Sequence, residues 1–264
     1  MAPRILHAEI ENRSKAPSEA DVHLVVTLEE GDGAEVRARL LGPRCLHATT
    51  VEVGYPFRPT LVPAPRQTRT LRAVVPEASA WSPEAPHLYL AVCEVWQGGV
   101  RHGSTSLRLG LRDFRAGPRG LRCNGRPLTL RGPEVTELSE AEALRLRSEG
   151  RNLLVCPAIE ASAGVWDVAS RVGFAVIGRV TSETPRGLLR QLTREPSVLG
   201  WLFDEGMAEM EVPQGTLLGT SASHHLASAA HFVAALPGEP IPPGKPVLLL
   251  AEGPTVNPIL GLVS

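Results

Sequence analysis

The sequence predicts an antiparallel β-sandwich over residues 1–116, followed by an incomplete parallel βα array over residues 117–264. Three observations carry this. Up to about Arg112 the chain offers short alternating runs, DVHLVVTLEE, AEVRARLLG, TRTLRAVVPE, LYLAVCEVW and STSLRLGLR, parted by Gly, Pro and polar clusters. After Gly117 the rhythm changes to short apolar strands alternating with amphipathic helices, the signature of parallel βα units. Finally, residues 117–264 fall well short of the about 250 residues that an eight-stranded βα barrel takes.

The elements of the second part follow in order. LRCNGRPLTLRG reads as a hairpin leading into a strand, with Asn-Gly at its turn. SEAEALRLRSEG is a helix, and Ser139 with Glu142 forms the S-x-x-E box that caps free N–H groups at a helix start. NLLVCPAI is a buried strand, GVWDVASRVG a second helix and FAVIGRV a third strand. Gly150 and Gly173 sit where helices end, since glycine adopts the left-handed conformation without a Cβ clash. Pro185 opens a third helix running to Thr193. Val198–Phe203 is a fourth strand, TSASHHLASAAHFVAAL is helical by composition, and KPVLLLAEG is a fifth strand.

Composition narrows the function. The chain has 264 residues, 43% of them apolar, with 27 basic against 28 acidic side chains and no long run of either sign. That balance favours neither a nucleic-acid nor an anionic-membrane partner. The opening MAPRILHAEIENRS lacks an apolar signal core, and no window reaches the roughly 18 apolar residues of a membrane span. A cytoplasmic protein is the expectation. Cys45, Cys93, Cys123 and Cys156 are far apart with no C-x-x-C pair, so they read as buried thiols rather than a zinc site or disulfide framework. His224, His225 and His231 lack a Cys or Asp partner at metal spacing and read as surface or packing residues. Neither a metal nor a cofactor is expected.

The candidate chemistry lies in PSVLGWLFDEG, residues 196–206, an apolar strand that stops on Asp204 and Glu205. A carboxyl at the C-terminal mouth of a buried parallel strand is where α/β folds place catalysis. Trp201, like Trp166, offers a ring that could stack on a sugar or fill the core. Glu252, at the end of KPVLLLAEG, is the second acidic candidate.

WSPEAPHLY (81–89), LRLGLRDF (107–114) and LRCNGRPLTLRG (121–132) together resemble the passage from sandwich to barrel in glycoside hydrolase family 2. That family runs W-x-P-x-x-P-x-L-Y, then G-x-R, then N-G-K-P-hydrophobic-L-R-G. SEGRNLLVCP, containing Asn152, resembles its K-x-x-G-x-N-x-x-R stretch, and EPSVLGWLFDEG its H-P-S-V-x-x-W-x-x-x-N-E. The resemblance implies an immunoglobulin-like β-sandwich followed by an incomplete (β/α) barrel. It implies Glu205 as acid/base and Glu252 as a nucleophile, with Asp204, Trp201 and Asn152 facing a carbohydrate ligand. KPVLLLAEG resembles the family's seventh strand, which carries the nucleophile, and equally its fifth; the interval from Glu205 fits the fifth better.

Several positions depart from the family pattern. Asp204 replaces an Asn that holds the sugar 2-hydroxyl, Val155 replaces an Arg, and Gly178 or Arg179 replaces an acid at the third strand end. A His usual soon after the second strand is absent. These departures imply a degenerate member with little or no turnover, acting in glycan or protein binding. The competing reading is a compact retaining β-glycosidase that uses Glu205 as acid/base. An incomplete barrel leaves a strand edge unpaired, so either a homo-oligomer, a partner chain or the terminal PTVNPILGLVS is expected to cover it.

Overall fold

The structure, a computed structural model, describes residues 2–13, 19–29, 33–61, 65–185, 187–203, 215–221, 230–235, 239, 245–249 and 259–261. They fall into two compact units. One comprises residues 1–81 and 87–111, the other residues 82–86 and 112–264. Among the described residues no helix is long and apolar enough to cross a membrane.

The first unit is a sandwich of two four-stranded antiparallel sheets. Its strands in chain order are β1 (Ile5–Asn12), β2 (Glu19–Leu28), β3 (Glu35–Arg44), β4 (Val53–Pro56), β5 (Arg58–Pro59), β6 (Thr68–Pro76), β7 (Leu88–Gln97) and β8 (Val100–Leu109). One sheet has the order β1-β2-β6-β5 and the other β4-β3-β7-β8. In β2 the residues Val22, Leu24, Val26 and Leu28 are fully buried while their neighbours are not, so the period-2 pattern in the sequence is the pattern of burial. The facing β7 contributes Tyr89, Ala91, Cys93 and Val95 to the same core. The Tyr89 hydroxyl accepts from the Ser79 N–H at 2.9 Å, a tyrosine corner that ties the start of β7 to the backbone upstream.

The second unit opens with a three-stranded antiparallel meander, β9 (Phe114–Gly117), β10 (Gly120–Cys123) and β11 (Arg126–Leu128). Asn124 and Gly125 both have positive φ (51° and 79°), as a two-residue type I′ hairpin turn requires. Then come β12 (Leu130–Arg131), α1 (Glu140–Ser148), β13 (Leu153–Pro157), α2 (Ala163–Val172), β14 (Ala175–Val180), α3 (Leu188–Leu192) and β15 (Val198–Phe203). The Ser139 hydroxyl accepts from the Glu142 N–H, the forward half of the expected capping box, while the Glu142 carboxylate pairs with Arg145. Gly173 closes α2 in the left-handed conformation at φ 95°. The third helix is shorter than Pro185–Thr193.

The remaining strands are β16 (Leu217–Ser221), β17 (Phe232–Ala235), β18 (Val247–Leu249) and β19 (Ile259–Gly261). β16 and β17 correct the expected helix over residues 220–236 at its two ends, which are parallel strands, while residues 222–229 lie outside the described residues. Its Ala- and Ser-rich composition is helix-like. A short apolar run such as HFVAA, however, has no period long enough to distinguish helix from buried strand, and pairing on both edges decides.

These strands form one eight-stranded sheet in the order β12-β19-β18-β17-β16-β15-β14-β13. β13 to β18 are parallel and consecutive, whereas β19 runs antiparallel to both β18 and β12. The two ends of the order also meet. The Asn152 N–H donates to the Arg131 carbonyl at 2.9 Å, Val155 N–H to Pro133 at 3.1 Å, and Val135 N–H to Val155 at 2.8 Å. Glu134 and Val155 form a parallel bridge. Gly132 permits this approach, since a Cβ there would lie 1.6 Å from the Leu153 carbonyl oxygen. As a βα barrel the array is incomplete, and an antiparallel strand stands where an eighth parallel unit would be. The unpaired edge expected from the sequence is taken up within the chain by β19, part of PTVNPILGLVS. Counting from β12 and its continuation to Val135, β15 is the fourth strand and β18 the seventh, so KPVLLLAEG is not the fifth.

Candidate active site at the barrel mouth

The faces of the parallel strands follow from what packs on them. Leu154 and Cys156 of β13, Val176 and Val180 of β14, and Val198, Trp201 and Phe203 of β15 share a core with α1, α2 and α3. Alternation therefore turns Val155, Ile177 and Leu202 to the inside of the ring. Val155 and Ile177 are fully buried and paired across strands, and Leu202 is nearly so. Further round, Phe232 lies over Gly219, where an added Cβ would meet its ring at 2.1 Å. The interior is thus filled by apolar side chains.

Arg179 occupies the inner position at the C-terminal end of β14. Its Nη1 donates to Glu134 Oε1 at 2.9 Å, so a guanidinium and a carboxylate meet at the mouth of the first and third strands. Both side chains are partly exposed, at 32% and 48%. Glu134 had no sequence motif to mark it; only its place beyond Gly132-Pro133 at a strand end pointed to the mouth. Arg179, and not Gly178, fills the third-strand position, because Gly178 faces outward against Trp201 and Trp166.

Two expected substrate-binding residues are elsewhere. Trp201 is fully buried on the outer face, its ring 5.7 Å from Trp166 at a 41° tilt. Its Nε1 has no hydrogen-bond partner among the described residues. It is a core residue, not a sugar platform, because outward alternation places it under the helices. Asn152 precedes β13, at the end of the ring opposite the mouth. Its Oδ1 accepts from the Arg131 N–H at 2.9 Å and its Nδ2 donates to the Thr129 carbonyl at 3.0 Å, so both ends of the amide join the first and second strands. Asp204, Glu205 and Glu252 lie outside the described residues. In sequence, the two former directly follow Phe203 at the end of β15, and Glu252 comes three residues after Leu249 at the end of β18.

The segment leading into β15 is held by a polar knot. The Ser170 hydroxyl lies 3.0 Å from Glu195 Oε2 and 3.1 Å from Ser197 Oγ, so its single proton serves one of these two acceptors at a time, and Ser197 Oγ donates to the Trp166 carbonyl at 3.2 Å. Ser170 and Ser197 are fully buried. Arg112, from the G-x-R stretch, donates to the Glu195 carbonyl at 3.3 Å and lies 5.3 Å over the Phe114 ring. Burial pulls its pKa down to about 10. These residues position β15 without reaching its mouth.

His231 bonds within the sheet, and three of the four cysteines are buried. The His231 Nδ1 accepts from the Leu218 N–H at 2.9 Å, between β16 and β17. His224 and His225 lie outside the described residues. Cys93, Cys123 and Cys156 are buried and Cys45 is partly exposed. Burial pushes the Cys93 thiol up to about 11 and Cys123 to about 12, and raises Cys156 further with help from the Glu134 carboxylate. Among the described residues no three His, Cys, Asp or Glu side chains converge as a metal site would need.

Residues 4–112 match the family model described as Glycosyl hydrolases family 2. None of the curated proteins matches the chain. Among solved structures, β-glucuronidase 3 of Bacteroides uniformis aligns with a TM-score of 0.65 at 14% identity, over 88% of this chain and 35% of its own. The β-glucuronidase of Parabacteroides merdae aligns at 0.64 and 12% identity, over 89% and 36%. A glycosyl hydrolase family 2 member from Bacteroides cellulosilyticus aligns at 0.61 and 13% identity, over 86% and 37%. The chain spans little more than a third of the length of these structures. The likeness to glycoside hydrolase family 2 is therefore established for the sandwich by the family's own model, and for the incomplete barrel at the level of fold.

Proposed function

We propose that the protein is a glycoside hydrolase family 2-like carbohydrate-active protein with little or no turnover, acting through glycan or protein binding. The observation that supports this most is the apolar inner face beneath the mouth. Val155 stands fully buried where the resemblance calls for an Arg, and Ile177 and Leu202 continue the same dry layer. A glycosidase holds its sugar by donors and acceptors that strengthen in the transition state. Each lost interaction worth about 1.4 kcal/mol of barrier slows turnover about tenfold. Arg179 also puts a cation where the resemblance calls for an acid.

One observation favours the second reading, a compact retaining β-glycosidase. β15 and β18 take the fourth and seventh places in the ring, so Glu205 and Glu252 follow the strands that the resemblance assigns to acid/base and nucleophile. Retention would need the two carboxyls about 5 to 5.5 Å apart. A panel of nitrophenyl β-galactoside, β-mannoside and β-glucuronide, assayed across pH, decides between the readings; the glucuronide is included because the structural neighbours are β-glucuronidases. We expect no turnover above background. Turnover abolished by both Glu205→Gln and Glu252→Gln would overturn the degenerate reading.

A further inference from the structure

Away from the barrel mouth, the β9–β11 meander carries a second concavity, a cleft of about 520 Å³ lined by Arg115, Arg119, Arg122 and the small residues Gly117, Pro118 and Gly120. Its volume is within the range of small-ligand clefts. One face of the meander belongs to the core, with Phe114, Leu121, Cys123 and Leu128 buried. On the other face Arg115 stands directly opposite Arg122 in the strand register. Like charges in that relation weaken a strand pair, so this arrangement works against the sheet that holds it.

The positive charge is only partly answered. Arg115 donates to Asp113 at 2.8 Å, and Arg122 donates to the Gly125 carbonyl at 2.5 Å. Among the described residues no carboxylate pairs with Arg119 or Arg122. The concentration is local, because the whole chain carries a net charge of −1. Gly117 and Gly120 bring no side chain to the floor, and Gly117 is partly exposed there.

We propose that this cleft binds an acidic glycan segment through its carboxylate or sulfate oxygens. Guanidinium groups present paired N–H donors that match planar carboxylates and sulfate edges two at a time, which lysines do not. The described face carries no exposed aromatic ring on which a base could stack. Three guanidiniums also supply little of the counterion release that drives nucleic-acid affinity. The choice of a sugar as carrier of the acid rests on the carbohydrate reading proposed above; the site itself is separate from the barrel mouth.

The test is calorimetric titration of the full chain with tetragalacturonate, a chondroitin sulfate tetrasaccharide, neutral cellotetraose and a short single-stranded DNA. The variants are Gly117→Asp and the double Arg119→Ser, Arg122→Ser. An added Cβ at Gly117 meets nothing within 4 Å, so the aspartate puts a negative charge in the cleft without crowding the fold. We expect at least one acidic tetrasaccharide to bind, with affinity falling in rising salt, and each variant to weaken it by about tenfold or more, the scale of one lost charge-assisted contact. Failure of both acidic sugars to bind, equal binding by Gly117→Asp with an unchanged circular dichroism spectrum, or tighter binding of the DNA would overturn the inference. Cellotetraose binding that survives both variants, with no acidic binding, would sink this site while leaving the barrel-mouth reading standing.

Discussion

Ser197 shows how a single residue couples chemistry in the sequence to placement in the fold. It lies in the EPSVLGW stretch that carries the family resemblance, yet its hydroxyl faces inward, bonded to Ser170 and to the Trp166 carbonyl. Its task is to fix the entry of β15 against α2. Ser197→Ala leaves Ser170 with one fewer partner in a buried site, and we expect a loss of about 1 to 2 kcal/mol in urea unfolding. Asp21 on β2 makes a different kind of contribution. The Arg72 Nε donates to it at 2.6 Å and His23 Nε2 lies 3.2 Å away, and the Arg72 hydrogen bond above all holds the carboxyl below its ordinary value. A carboxyl depressed on folding stabilises the native state above its unfolded pKa of about 3.9, and that contribution is lost as pH falls through the folded value. Arg72 is half exposed, so the effect is small. Asp21→Asn should flatten the acid limb of stability against pH, measured by urea midpoints between neutral pH and about pH 2.

At the scale of elements, the strands whose sequence period is unambiguous were legible and the short apolar ones were not. β2 and β7 alternate over ten residues each, and their burial follows the sequence directly. The α1 cap and the Asn124-Gly125 turn were equally plain, since each depends on local chemistry that needs no partner. β16 and β17 are hidden because runs of four or five residues carry no period, and their identity is settled only by pairing with neighbouring strands. Without them the count from sequence falls short by two, which puts KPVLLLAEG in the fifth place instead of the seventh. In the site, the facing of side chains is not legible from the sequence. Trp201 reads as either a sugar platform or a core ring until the bulge between β14 and β15 and the alternation after it turn the ring outward. Asn152 reads as a ligand until its amide is found closing the seam. β19 is the element with the most direct test. A chain shortened to end at Gly253 removes the strand that lies between β12 and β18. Two exposed edges then invite pairing between copies. We expect light scattering to show larger species for the shortened chain than for the full one, together with a lower denaturation midpoint; equal size and equal midpoint would show that β19 contributes nothing to the ring.

The molecule as a whole joins a sandwich that pairs β2 with β6 and β3 with β7 to a ring that pairs its first strand with its last. Every partner in the β7–β8 pair is reached within a tight turn, from Tyr89 with Leu109 to Gln97 with Val100. The ring depends on Leu130 meeting Leu260 and Arg131 meeting Ile259. Bringing such remote segments together costs chain entropy that is recovered only when the contact is made, and folds of this kind are slow to complete. During synthesis the sandwich has all its strands once residue 109 has left the ribosome, whereas β12 waits for β19 until residue 261 has followed. Until β19 follows, the nascent second unit offers the open edge of β12, and once residue 249 is made that of β18 as well, to whatever strand is nearest. The strand that closes the ring is thus also a timer: its place in the chain sets how long those edges stay unpaired.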